Sequence, residues 1–504
     1  MNLAAGLLCS GLSAIIQFAT VRYYLGALGA ESYGLLGILA LMQAGFMTLD
    51  LGFGAAVSRK LAQMRASGED SQAARNLLHT AGWFFMAVAI FAALVLHAVS
   101  TPLAALWLRS THIPGADLGH AITLIALVAA TRFPVLLFQN ALAGLQKMYV
   151  ASIINVLMLA LTHGIGFWLL IDRGNDVFSL LVWFVAAGLL HSVAMGAAAA
   201  FHAGGPARGR FDTAALAQLR DFALPMAAVA VTGVLLQQLD KVAASMALPL
   251  AAFAGYSVCV SLVAVMQLAL GPLFSAFYPR LSLACAAGDT GAVVAIFGGG
   301  SRVLMSLVTP IAVMGVFHAQ MILGWWTHDA AMADQLASTM GWMLAGALLN
   351  GAMHLPHALQ LAKGQAREVL ELNITLFILS LPASFLLAFR YGADGAAASW
   401  ALFNFMYLVI GTRATAIGSP EINVVTWIFR DILAPSTAAG CISLVVLEAT
   451  SWLLTGAEPG LALLAAAAGV GATGCACAWR EWHASGLSRS TAIAATNNGV
   501  QPAC

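Results

Sequence analysis

The chain has 504 residues, 61% of them apolar and 9% charged, with a mean hydropathy of +0.89 and a formal net charge of +1. That balance excludes a soluble globular protein, and the near-zero charge excludes a nucleic-acid binder. Seven scattered cysteines, Cys9, Cys259, Cys285, Cys441, Cys475, Cys477 and Cys504, argue against a disulfide framework or a metal site, and no phosphate-binding Gly-Lys-Ser/Thr loop occurs, which argues against nucleotide-driven pumping.

A bilayer core of about 30 Å needs roughly 20 apolar residues per spanning helix. Fourteen windows of that kind follow one another: 3–24, 33–57, 78–99, 119–143, 149–171, 177–201, 222–246, 252–278, 296–317, 333–361, 368–389, 394–416, 433–455 and 461–479. The first has no basic n-region and carries Gln17 and Thr20 where a signal peptide is most apolar, so it reads as a retained helix. Its Gly6, Ser10, Ser13, Gln17, Thr20 and Tyr24 share one helical face, which serves either as a close helix contact or as the lining of a polar path. Arg22 projects from the other side near the outer end, where snorkelling or pairing with Glu31 competes with a substrate contact.

Asp50, in Leu49-Asp50-Leu51-Gly52, closes the second window as either an interhelical ion pair or an ion-coupling carboxylate. The Arg59, Lys60, Arg65 and Arg75 that follow set topology, and also attract anionic headgroups at about 1 kcal/mol each. The fourth window places Arg132 near mid-span, beside Thr131 and ahead of Gln139 and Asn140. A charge there costs about 2.5 to 3.5 kcal/mol, so Arg132 needs a ligand, a wet cavity, or a neighbouring carboxylate or carbonyl. The seventh window ends in Gln237-Gln238-Leu239-Asp240-Lys241; the adjacent Asp240 and Lys241 are expected to seek partners elsewhere, which makes Asp240 a second ion-coupling candidate. In the tenth, His354 lies one turn from Asn350. Trp107, Trp168, Trp325, Trp326, Trp452 and Trp479 fall near span ends as interface anchors.

The windows duplicate. Arg132-Phe133-Pro134 recurs as His354-Leu355-Pro356, Gly144 to Lys147 as Gly364 to Arg367, and Tyr33-Gly34 before Arg59 as Gly255-Tyr256 before Arg280. An even number of spans per half makes the repeats parallel, with a cavity expected where they face and with Arg132 and His354 on its two walls. The division is a six-helix lobe at 1–203, a Gly/Pro/Arg linker at 204–221, a second lobe at 222–416, two additional spans at 417–484, and a disordered cytoplasmic tail at 485–504. With the amino terminus cytoplasmic, sixteen of the 22 Lys and Arg residues fall on the cytoplasmic side. Arg22, Arg109, Arg173, Lys241 and Arg390 fall on the other, Arg132 lies within a span, and both termini are placed in the cytoplasm.

Leu28-Gly29-Ala30-Glu31-Ser32-Tyr33-Gly34-Leu35, then Leu49 to Gly54 and Arg59, resembles the start of the polysaccharide transporter family of O-antigen-type flippases. Phe222 to Pro225, Leu239-Asp240-Lys241 and Gly255-Tyr256 resemble its second-half opening, and Tyr391 to Ala397 its loop before span twelve. These motifs are shared in part with lipid-linked peptidoglycan-precursor flippases and more distantly with multidrug and toxin extruders. The resemblance implies an all-α polytopic membrane protein of two V-shaped, MATE-like six-helix lobes, without a cofactor, in the bacterial cytoplasmic membrane. It implies an undecaprenyl-diphosphate-linked oligosaccharide as substrate, polymerase and glycosyltransferase partners, and coupling to protons or sodium.

The anionic diphosphate suits Arg132 first, with Arg22, Lys241, His354, Gln17 and Asn350 as further substrate contacts. A drug extruder would favour an acidic, aromatic-lined cavity instead. A membrane glycosyltransferase would need a sizeable extramembrane loop, and a scaffold would tolerate loss of Arg132.

Overall fold

A computed structural model describes residues 2–484 apart from 68–70, 173, 175, 206–208 and 455–457. The tail at 485–504, the middle of the linker at 206–208, and Arg173, Arg208 and Arg489 lie outside the described residues, as do the side chains of Gly6, Ser10 and residues 213–226. All described secondary structure is helical.

The contacts divide the chain into two compact units, Met1–Val258 and Cys259–Cys504. The first contains α1 (Asn2–Leu28), α2 (Ala30–Thr48), α3 (Phe53–Ser67), α4 (Ser71–Ala98), α5 (Ser100–Trp107), α6 (Gly115–Gly144), α7 (Met148–Asp172), α8 (Val177–His202) and α9 (Thr213–Ala247). α10 (Leu250–Ala286) runs across the boundary, and the second unit continues with α11 (Thr290–Phe317), α12 (Ala319–Thr327), α13 (Ala330–Ala352), α14 (His354–Ala362) and α15 (Ala366–Gly418). It closes with α16 (Val424–Thr426), a π-helical turn at Trp427–Leu433, α17 (Ala434–Leu453) and α18 (Pro459–Ala484).

Among the described residues nine helices are long and apolar enough to cross a membrane, or ten if the bent pair α2–α3 counts as one. Fourteen windows become fewer helices partly because α15 absorbs two, 368–389 and 394–416, in one 53-residue element interrupted at Gly392 (φ 61°, ψ −134°). Only glycine adopts that backbone without strain. The window 333–361 divides at Met353 into α13 and α14.

α6 is the axis of the first unit: two thirds of its most apolar stretch is buried, and α2, α3, α4, α5, α7 and α8 all pack on it. Phe133 of α6 stacks on Phe85 of α4 at 4.8 Å and meets Phe46 of α2 edge-on at 6.2 Å. Gly144 ends α6 against the backbone of Ser58, and Arg65 donates to the Leu145 carbonyl, so this end of α3 is clamped to α6. The entry into α8 is capped by Asp176, which accepts from the amides of Phe178 (3.0 Å) and Ser179 (2.9 Å). Burial opposes ionisation there, but those bonds and the Ser179 hydroxyl hold the Asp176 carboxyl below its ordinary range.

In the second unit α11 is the covered helix, with 61% of its apolar stretch buried against 22% for α4. In the duplication expected from the sequence these two are counterparts, each the third window of its half. The difference follows from α17 and α18, which pack on α11 and on each other through Leu447, Ala466 and Val470 against Val313 and Met314. Trp326, expected at an interface, is 1% exposed: α12 carries it inward against α13 rather than outward to a membrane surface.

An ion network fastens one end of the second unit. Arg302 of α11 donates to Asp431 (2.5 Å) and to Glu481 of α18 (3.1 Å), while Arg430 also binds Asp431 (2.9 Å) and Arg480 binds Glu481 (2.9 Å). The π-helical turn brings Asp431 to face α11 at Gly298, where an added Cβ would lie 2.7 Å from its Oδ2, and aims the Trp427 indole at Ser301 (2.9 Å). Lys363 pairs with Glu421 at 2.6 Å. Although burial acts against it, the Lys363 contact holds the Glu421 carboxyl below its ordinary value.

Candidate functional site

Arg132 lies in the middle of α6, two residues before the buried Pro134. Its stem runs along α8, where Gly188 leaves room: a Cβ there would stand 3.3 Å from Arg132 Cγ. The guanidinium sits over the Phe184 ring, 5.9 Å from its centroid, a cation–π distance. Arg132 Nε is buried with no hydrogen-bond partner, and among the described residues the guanidinium has no carboxylate or carbonyl to bind. Among the described residues, then, no Asp or backbone oxygen is seen satisfying the charge.

The groups around it are neutral or protonatable. Tyr24 of α1 is buried and its hydroxyl lies 3.1 Å from His163 Nδ1 of α7. On α8, His191 Nε2 is 3.0 Å from Asn155 Oδ1 of α7. The Arg132 charge acts electrostatically on Tyr24, His163 and His191. One fixed cation, two imidazoles, a phenol and a carboxamide are held by α1, α6, α7 and α8; chemically such a group suits an anion, since a cation would find no counter-charge beside Arg132 among the described residues.

His163 and His191 were missed by the sequence reading. Both sit at mid-window, His163 in 149–171 and His191 in 177–201, so the desolvation argument applied to Arg132 would have found them.

The other sequence-derived candidates have their own surroundings. Along the polar stripe of α1, Thr20 and Tyr24 are buried, while Gln17 is exposed; α1 packs mainly on α7, so the stripe is a helix contact at its Tyr24 end. Arg22 is half-buried on α1. His354 opens α14 with Nδ1 3.0 Å from the Asn350 carbonyl. Asn350 Nδ2 donates to Asn404 Oδ1 (2.9 Å), tying α13 to α15.

Asp240 and Lys241 meet each other, which adjacent positions on a helix had been expected to prevent, and Asp240 also finds the partner elsewhere that was expected. The Lys241 ammonium folds back to 3.1 Å from Asp240 Oδ1, while Tyr256 of α10 donates to Asp240 Oδ2 at 2.6 Å. The four-carbon lysine stem is long enough to double back where a shorter side chain is not, and the buried carboxylate selects that rotamer.

Asp50 lies in the bend of 53° between α2 and α3, where Leu51 (φ 46°) and Gly52 (φ 76°) turn the chain. Its Oδ1 accepts from the Gly54 amide at 2.8 Å, capping α3. Asp50→Asn keeps that acceptor and removes the charge, so activity is expected to persist in cells carrying it. Asp50→Ala is expected to lower stability by about 1 kcal/mol. Loss of activity with Asp50→Asn at normal abundance would make Asp50 an ion-coupling group instead.

The family model described as polysaccharide biosynthesis protein matches residues 2–284. No curated protein matches the chain in sequence. Among solved structures, the lipid II flippase MurJ in an inward closed conformation is similar in fold, with a TM-score of 0.70, 11% identity, and coverage of 98% of this chain and 99% of that one. An inward-facing multidrug resistance MATE family transporter of the MOP superfamily has a TM-score of 0.63 at 13% identity, covering 83% of this chain and 96% of that one. A MOP superfamily transporter from Pyrococcus furiosus, noted for the reverse polarity of its binding pocket, has a TM-score of 0.57 at 13% identity, covering 84% and 95%. The all-helical MATE-like fold that the family resemblance implies is thus the fold found. A match over more than half of the chain makes this membrane protein a member of the polysaccharide biosynthesis protein family.

Proposed function

We propose that the protein flips a polyprenyl-diphosphate-linked oligosaccharide, an O-antigen or other surface-polysaccharide repeat unit, from the cytoplasmic to the outer leaflet of the bacterial cytoplasmic membrane. Both termini are cytoplasmic in this reading. The observation that carries it is Arg132: a half-buried arginine whose Nε is buried without a hydrogen-bond partner, with no protein counter-charge among the described residues and with Tyr24, His163 and His191 within its electrostatic reach. A charge left unsatisfied in a membrane helix is retained where a ligand completes it, and a diphosphate supplies paired acceptors matched to the guanidinium fork.

Family membership supports a substrate used in polysaccharide assembly, and the near-complete coverage of a lipid II flippase fold supports a lipid-linked one. The head group is bound beside Arg132 while the prenyl chain stays in lipid, and alternating access moves the site between leaflets without covalent chemistry. The polymerase and glycosyltransferases that consume and make the repeat are the partners, and a proton or sodium gradient supplies the direction. Wild-type protein expressed in flippase-null hosts is expected to restore surface polymer in a host whose repeat it accepts, with lipid-linked repeats leaving the cytoplasmic leaflet. Resistance to cationic drugs without polymer in any host would replace this reading with drug extrusion.

A further inference from the structure

Away from Arg132, a cavity of about 390 Å³ opens in the first unit among α4, α6 and α8. Arg75 and His79 stand at one end; Gly82, Trp83, Met86, Phe138, Gly196 and Ala200 line the rest. Gly82 and Gly196 leave the space, since a Cβ at either would lie 3.4 Å or 3.1 Å from the Phe138 ring. The polar end is built: Arg75 donates to the Gly204 carbonyl (2.7 Å) and to Gln72 Oε1 (2.6 Å), and the Trp83 indole donates to His79 Nε2 (3.1 Å). From Arg75 to Met86 the helix rises about 16 Å, from the basic end of the unit into apolar depth. Beyond Met86 the same face of α4 continues outward through Ile90, Phe91 and Leu94, all more than half exposed.

The second unit shows what such a face requires. Its counterpart α11 is covered by α17 and α18, whose Asp431 turn and Glu481 bring anionic oxygens to Arg302. In the first unit none of the described helices closes the face at Trp83 and Met86. We infer that this cavity is a binding site for one anionic phospholipid of the cytoplasmic leaflet, its phosphate on Arg75 and His79 and one acyl chain along Trp83, Met86 and Phe138. The phosphate is a further acceptor for Arg75. A guanidinium has five donors, so it adds to the oxygens Arg75 already holds. The chain fills apolar volume that water would leave unfavourably wet.

The test is native mass spectrometry of the full-length protein in detergent, titrated with phosphatidylglycerol, phosphatidylcholine or undecaprenyl phosphate. Phosphatidylglycerol is expected to bind about tenfold more tightly than phosphatidylcholine, and Arg75→Gln is expected to remove that preference. Ala200→Leu, at an exposed position that narrows the cavity without touching Arg75, is expected to weaken phosphatidylglycerol by a similar factor in protein of unchanged stability. Equal binding of the two phospholipids, or wild-type binding by Ala200→Leu, overturns the proposal. Displacement of phosphatidylglycerol by an equal concentration of undecaprenyl phosphate also overturns it, assigning the cavity to the transported lipid.

Discussion

Arg132→Ala is expected to abolish surface-polysaccharide production at unchanged membrane abundance, with lipid-linked repeats accumulating in the cytoplasmic leaflet. A hydrogen bond from a guanidinium to a phosphate contributes about 1.5 to 3 kcal/mol, which is a fall of about ten- to 150-fold in binding when one is lost. Arg132→Lys keeps the charge but not the planar fork, and is expected to retain only part of the activity. The same variants separate a ligand-binding arginine from a structural one by stability. A buried charge that ties helices together costs about 3 to 5 kcal/mol when its partner is stranded. Arg132 has no such partner among the described residues, so Arg132→Ala is expected to leave the thermal midpoint of the purified protein unchanged or raised. A large fall in that midpoint, or wild-type polymer from the alanine variant, makes the residue structural.

Asp431→Asn is expected to do the reverse. Asp431 is 2% exposed and accepts from both Arg302 and Arg430, so neutralising it leaves two guanidinium groups facing one amide at the junction of α11 with the π-helical turn. The expected loss is about 3 to 5 kcal/mol, read as a lower midpoint and a lower abundance in membranes. Adding Arg302→Met removes one of the stranded charges, while Glu481 keeps Arg480, so the double variant is expected to regain part of the stability. A midpoint unmoved by Asp431→Asn would show that the network is a surface feature of negligible weight.

These two arginines show where reading the chain sufficed and where it did not. Both are visible as cations in apolar windows. For Arg132 depth alone identified an unusual residue, because the cost of a charge depends on the length of apolar sequence on either side. For Arg302 the position gave only sidedness; its partners are 129 and 179 residues further on, and no local pattern links them. Asp240 and Lys241 show the opposite failure, in which a local rule that adjacent helical residues cannot meet was overruled by a flexible stem, while the partner expected elsewhere for Asp240 is the hydroxyl of Tyr256.

Sequence by itself determined the solvent, the helical class and the family, because each is written in hydropathy over 20-residue stretches or in short local motifs. Only the tertiary structure decided that Tyr24, His163 and His191 gather around Arg132, that Asp50 caps a helix, and that α17 and α18 cover α11 while the matching face of α4 stays open. Those outcomes depend on which faces of distant helices meet, and side-chain packing, not local periodicity, selects the faces.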